Sequence, residues 1–153
     1  MRQITNAVSK ILKTADAHCD GPCGVYDPAS ARIAGEAVQS MTKKMVTLEE
    51  NHGGECGSAT YLNTMSRYAA IKEEEAQKCK DELLVLWTDY FKPAHLEAYP
   101  DLHDMFWKAA KLCSACKVEV SLEHAQELMD AIENIHVLFW ETKQKDVPWI
   151  RAS

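Results

Sequence analysis

Apolar and polar residues along this chain repeat at the period of an α-helix, and no stretch shows the strict alternation of a strand. The segment "YDPASARIAGEAVQSMTKKMVTLEEN" carries Ala34, Ala37, Val38, Met41, Met45 and Leu48 on one helical face. Asp27 suits its N-cap, and Pro28 its first position, where the missing N–H is not needed. "HGGECG" ends that helix. Ser58 can cap a second, longer helix that reaches Phe91, with Leu62, Met65, Ile71, Ala76, Cys79, Leu83, Leu86, Trp87 and Tyr90 as its stripe. "FKPAHLEAYPDL" breaks it with two prolines. A third helix covers about 101–117, with Leu102, Met105, Phe106, Ala109, Leu112, Cys113 and Cys116 inward. Ser121 caps a fourth, striped by Ala125, Leu128, Met129, Ile132, Ile135, Phe139 and Trp140. Lys143 and Lys145 stand near its C-terminal end, where the helix dipole favours positive charge. Four amphipathic helices with mostly short connections predict an all-α chain folded as an antiparallel up-and-down four-helix bundle.

The N-terminal stretch "MRQITNAVSKILKTADA" places Ile4, Val8, Ile11, Leu12 and Ala15 at helical spacing without the continuous apolar run of a secretory signal. A processed leader, an organelle-targeting peptide and a frayed first helix all fit it. No stretch approaches the roughly 18 apolar residues of a membrane span. At 153 residues the chain is one domain's length, and its formal charge is −6. Removing residues 1–17, which carry Arg2, Lys10 and Lys13 against Asp16, takes away a net +2 and leaves −8. Such acidity argues against sequence-independent binding of nucleic acid, which needs clustered Lys and Arg.

The six cysteines stand at 19, 23, 56, 79, 113 and 116. A chain this long can bury its own core without disulfide staples, and three of the six fall in amphipathic helices, so reduced thiols are expected. "CSAC" (Cys113, Cys116) has no second ligand pair for zinc and reads as core packing. His95, His103, His124 and His136 are scattered and read as structural or solvent-facing, and "KEEEAQKCKDE" reads as a solvated helix face.

"HCDGPCGVYDP" is different: one histidine and two cysteines fall within six positions. If the chain is cut between Ala17 and His18, the new end offers an α-amine, the His18 imidazole, the Cys19 amide nitrogen and the thiolates of Cys19 and Cys23. Amine, amide and Cys19 sulfur come from two consecutive residues and must lie nearly in one plane. Cys23, brought round by Gly21 and Pro22, can close a square of two nitrogens and two sulfurs. That donor set suits low-spin Ni(II) or Cu(II) and suits tetrahedral zinc poorly. Thiolates reduce Cu(II), which leaves nickel the stronger candidate. Anionic sulfur and amidate donors stabilise Ni(III), with the imidazole as its axial ligand. The couple then lies where a small one-electron substrate such as superoxide can both reduce and oxidise it.

"HCDGPCGVYDPASARI", "LWTDYFKPAHLEAYPDLH" and "HVLFWETK" together resemble the nickel-containing superoxide dismutases, from His18 to about Lys143. The resemblance implies one nickel ion per subunit, held by the amine and imidazole of His18, the sulfur and amidate of Cys19 and the sulfur of Cys23. It implies that Tyr26 and Tyr90 order water or substrate at the open axial face, that Asp20 supports the hook and that Pro22 turns it. It further implies residues 1–17 as a leader removed by a maturation protease, residues 18–153 as the mature domain with its hook at 18–26, a homohexamer, and superoxide as substrate. The expected compartment is a bacterial cytoplasm, or a plastid or other organelle in an alga.

Two departures stand out. Relatives hold the imidazole with a glutamate and an arginine, where this chain has Ala34 and Glu75, and it carries extra residues around "TLEENHGGECGSAT". Lys92, just past Tyr90, is the candidate source of local positive field for an anionic substrate. A nickel or copper store or sensor on the same hook is the rival reading, and a thiol-redox protein pairing Cys19 with Cys23 is a third.

Overall fold

The computed structural model describes residues 24–51 and 57–152. Their architecture is helical: α1 (Ala29–Asn51), α2 (Ala59–Val85) running on into a π-helical turn (Leu86–Tyr90), α3 (Pro93–Ala98), α4 (Leu102–Val118) and α5 (Leu122–Thr142). Helix α1 packs on α2 and α5, and α4 packs on the same two, which closes the four long helices into a ring around one core. The predicted bundle is therefore present. The short α3 is an addition within its α2–α4 connection.

Local signals explain most of the boundaries. The Asp27 carboxylate accepts the Ala29 N–H at 2.8 Å at the head of α1, and the Pro28 carbonyl accepts the Arg32 N–H at 3.0 Å. Ser58 and Ser121 accept the N–H groups of Tyr61 and His124, each at 3.1 Å, as caps of α2 and α5. The prolines predicted only to break the chain do more than that. Pro93 takes the first position of α3, and the His95 ring nitrogen accepts the Lys92 N–H at 3.1 Å.

The core is filled by Leu83, Leu102, Phe106, Leu128, Met129, Ile132, Ile135 and Phe139, all from predicted inward positions. Helix α2 departs from expectation. Its inward row runs from Lys72 through Ala76, Cys79, Leu83 and Leu86 in steps of four and three, with Tyr61 three turns earlier on the same face. Leu62 and Ile71 each lie one residue off that row, about 100° round the helix, and are 56% and 40% exposed.

Lys72 occupies the apolar row instead and is only 3% exposed. Its ammonium donates to the carbonyls of Cys116, of Lys117 at 3.2 Å and of Glu119 at 2.8 Å. These carbonyls end α4, where no helical N–H remains to meet them and the dipole favours a cation. Burial holds the Lys72 amine below its ordinary value. "KEEEAQKCKDE" is thus not a wholly solvated face, since its first lysine and Cys79 point into the bundle.

Cys79, Cys113 and Cys116 are free and buried, as expected. The bond with Cys113 and burial push the Cys79 thiol well up, and burial pushes Cys116 up to about 11. These are packing thiols. After α5 the chain returns along the bundle: Ala152 N–H meets Glu36 at 2.7 Å, Arg151 meets Gln39, and the His136 ring meets the Val147 carbonyl at 2.9 Å.

Replacing Lys72 with Met should remove about 2–4 kcal/mol from stability in urea unfolding, because buried carbonyls lose their donor while the apolar volume is kept. A change below about 0.5 kcal/mol would show that the capping bonds are dispensable.

Candidate metal centre and its tyrosine pair

The tyrosine pair expected at the site lies where the chain enters α1. Gly24 has φ +66°, a conformation that suits glycine. It turns the chain into Val25, Tyr26 and the Asp27–Pro28 start of the helix. Antiparallel packing brings the far end of α2 to the same place. There the helix widens to a π turn, in which the Phe91 N–H bonds the Leu86 carbonyl at 3.4 Å, five residues back. The wider turn leaves Trp87 and Tyr90 at the edge of the core rather than inside it. Trp87 stacks on Phe106 and donates its indole N–H to His103 at 2.8 Å.

Tyr90 reaches Tyr26 across the gap, with ring centroids 5.6 Å apart and planes tilted by 54°. The two tyrosines singled out from sequence are therefore neighbours. Thr142 donates its hydroxyl to the Phe139 carbonyl at 2.6 Å, so the 2.6 Å contact between Tyr90 and Thr142 has the phenol donating. Phe91, Phe139 and His95 pack round the Tyr90 ring, at centroid distances of 4.9, 4.5 and 5.7 Å. The Lys143 ammonium lies 5.3 Å from the Tyr90 centroid and 4.7 Å from that of Phe139, within range of a cation–π attraction.

Sequence reasoning missed this surround. His95, read as structural or solvent-facing, stacks on Tyr90. Lys143, taken as a dipole partner of α5, supplies the positive charge at Tyr90. Lys92, the candidate for that role, instead donates to the Asp89 carbonyl at 2.9 Å. The quoted "HVLFWETK" held the signal, because it contains Phe139, Thr142 and Lys143.

The predicted ligands His18, Cys19 and Cys23, with Asp20 and Pro22, lie outside the described residues. Among the described residues, no group of three or more His, Cys, Asp or Glu could hold a metal ion. Ala34 and Glu75, which stand where relatives have a glutamate and an arginine, line one cavity of about 270 Å³ between α1 and α2. Glu75 is paired there with Lys78 at 2.7 Å.

A family model described as nickel-containing superoxide dismutase matches residues 13–143. The chain belongs to the nickel-containing superoxide dismutase family. The nickel superoxide dismutase of Streptomyces seoulensis is 43% identical over 128 residues, 84% of this chain and 89% of that protein. The one from Streptomyces coelicolor is 41% identical over 131 residues, 86% of this chain and 92% of its own length. A crystal structure of nickel-containing superoxide dismutase with oxidised-state nickel ligation superposes with a TM-score of 0.73 at 42% identity. That match covers 84% of this chain and all of the other. In this dismutase fold the tyrosine pair is fixed from two sides, by the cap of α1 and by the end of α5.

A double-mutant cycle on Tyr90→Phe and Thr142→Val should give a coupling of about 1 kcal/mol in thermal or urea unfolding. Strict additivity would mean that the 2.6 Å bond does not hold the phenol.

Proposed function

We propose that residues 18–23 bring the metal ligands of this nickel superoxide dismutase to the tyrosine pair after removal of residues 1–17. The observation that carries this is the 5.6 Å approach of Tyr90 to Tyr26, which stands only three residues after Cys23. The reaction converts two superoxide anions and two protons into dioxygen and hydrogen peroxide. The donors present fit nickel. The His18 amine and imidazole, the Cys19 amide nitrogen and sulfur and the Cys23 sulfur would hold it, and an anionic sulfur–amidate set suits a square-planar ion. The packing thiols are no competitors, since burial disfavours the Cys79 and Cys116 thiolates. When bound, nickel supplies a one-electron couple between its divalent and trivalent states.

The protein's own groups do the rest. Tyr90 keeps its phenolic proton directed at Thr142, which fixes its ring beside Tyr26. The cavity bounded by Tyr26, of about 40 Å³, has room for a water-sized molecule. Water held there beside Tyr26 can deliver the protons that peroxide requires. Lys143 offsets the acidity of the whole chain at the point of entry and draws the anion in. Asp20 and Pro22 are assigned the support and the turn of the hook.

A homohexamer accompanies this reading. Ile33, Leu62, Trp107 and Val137 are exposed apolar side chains that an assembly would cover. The maturation protease cuts before His18. The two relatives are bacterial, and a bacterial cytoplasmic location is proposed on that ground. Among the described residues no helix is long and apolar enough to cross a membrane.

With Ala17 attached the α-amine is an amide. Protein beginning at Met1 should therefore lose nickel affinity and activity by more than the roughly 10–100-fold typical of outer-sphere changes. Equal activity in a xanthine-oxidase-coupled assay before and after cleavage would overturn the ligand assignment. Cys23→Ser should abolish turnover, and retained turnover would remove that sulfur from the metal. Nickel binding with no turnover in the mature chain would favour a store.

Lys143→Gln should lower kcat/KM about threefold at low ionic strength, with the difference vanishing near 1 M salt, where the Debye length is only about 3 Å. An unchanged low-salt rate would remove Lys143 from substrate guidance.

A further inference from the structure

Of the rings packed on Tyr90, that of His95 is aimed by a backbone bond that depends on its protonation. The His95 ring lies 5.7 Å from the Tyr90 ring, nearly parallel at 19°, and meets Phe91 edge-on at 5.6 Å. Its direction is set at the head of α3. The Lys92 N–H donates to Nδ1 of His95 at 3.1 Å, and the His95 N–H donates to the Lys92 carbonyl at 2.8 Å. Pro93 between them has no N–H and a fixed φ, so this reciprocal pair closes the turn. A ring nitrogen that accepts a hydrogen bond carries no proton, and the neutral ring therefore keeps its proton on Nε2. The charged groups around it are cations. The Lys143 ammonium of α5 lies 5.3 Å from the Tyr90 centroid, and that of Lys92 donates to the Asp89 carbonyl at 2.9 Å. The Asp89 carboxylate accepts the Thr88 hydroxyl at 2.9 Å. Among the described residues the histidine paired with a carboxylate is His124, not His95.

Protonation puts a second ring N–H on Nδ1, aimed at the Lys92 N–H. Two donors facing one another make no bond, so the ring must turn away from the head of α3, and the surface beside Tyr90 moves with it. No carboxylate holds the charged ring in place. On the reading that Tyr90 serves the dismutation, we propose that His95 is a positioning residue that keeps Tyr90 beside Tyr26 while its imidazole is neutral and releases it when protonated. Thr142 fixes the phenol end of Tyr90 and His95 fixes a face. Once that face is freed, the ring can tilt about its bond to Thr142, and the 5.6 Å approach to Tyr26 is lost. Histidine side chains change charge between about pH 5 and about pH 8, which sets the range in which the release is sought.

The test uses the mature, reduced, nickel-loaded protein, isotope-labelled in its tyrosine and histidine rings, with its variants His95→Asn and Tyr90→Phe. Nuclear magnetic resonance at about pH 8 should show His95 with a proton on Nε2 and none on Nδ1. Titration to about pH 5 should move the Tyr90 ring signals with the midpoint of His95. Over the same range kcat/KM should fall by about tenfold as the ring is misplaced. His95→Asn keeps a side-chain oxygen that can accept the Lys92 N–H, but it does not titrate. Its fall in kcat/KM across that range should shrink to about twofold or less. Tyr90 signals that stay still while His95 titrates overturn the proposal, as does a parent-like pH profile in His95→Asn. If His95→Asn fails to fold, the titration of the parent decides alone. Tyr90→Phe assigns the signals and keeps the two ideas apart. Parent-like kcat/KM there refutes the tyrosine reading itself, whereas a loss there with a parent-like pH profile in His95→Asn refutes the His95 assignment only.

Discussion

The bond from Tyr90 to Thr142 ties the end of α2 to the end of α5, and the placement of the site follows from it. Antiparallel helices put the start of α1, the end of α2 and the end of α5 at one end of the bundle. A phenol donating to a threonine, which itself donates to a helix carbonyl, fixes the ring through a chain of satisfied groups. Tyr26 then meets a rigid surface as the chain turns through Gly24 into α1. The aromatic packing of Phe91, His95 and Phe139 closes the sides of the Tyr90 ring.

Charge is distributed to match. The chain is acidic as a whole, yet among the described residues the one buried lysine, Lys72, caps α4, and Lys143 lies over the Tyr90 ring. A cation buried against three carbonyls stabilises the fold without adding field at the surface. Lys143 lies over the rings of Tyr90, Phe139 and Trp140, and its charge is left unpaired by any carboxylate among the described residues. Cys79, through its bond with Cys113 and its burial, and Cys116, through burial, are held in the neutral thiol form suited to packing.

The four long helices were legible because their caps and apolar spacing agree: Asp27, Ser58 and Ser121 each make the bond expected of them. Helix α2 was misread in part. Leu62 and Ile71 look like stripe residues by type, but they sit one residue off the row that Tyr61, Ala76, Cys79 and Leu83 define. Lys72 hides the row by placing a charge on it. That burial depends on the α4 carbonyls, which are more than 40 residues away in the chain. The tyrosine pair was identified by family likeness. Nothing in local spacing links residue 26 to residue 90.

The sequence by itself determined the helices and the family, because caps, periodicity and short motifs are properties of neighbouring residues. The tertiary structure alone decided that Tyr26 meets Tyr90, that Lys143 lies over the Tyr90 ring while Lys92 turns to the Asp89 carbonyl, and that Glu82 and Glu75 share a cavity with Ala34. Those relations join residues of different helices. They exist only once the core has fixed how the helices cross, and no periodic signal along a single chain records that.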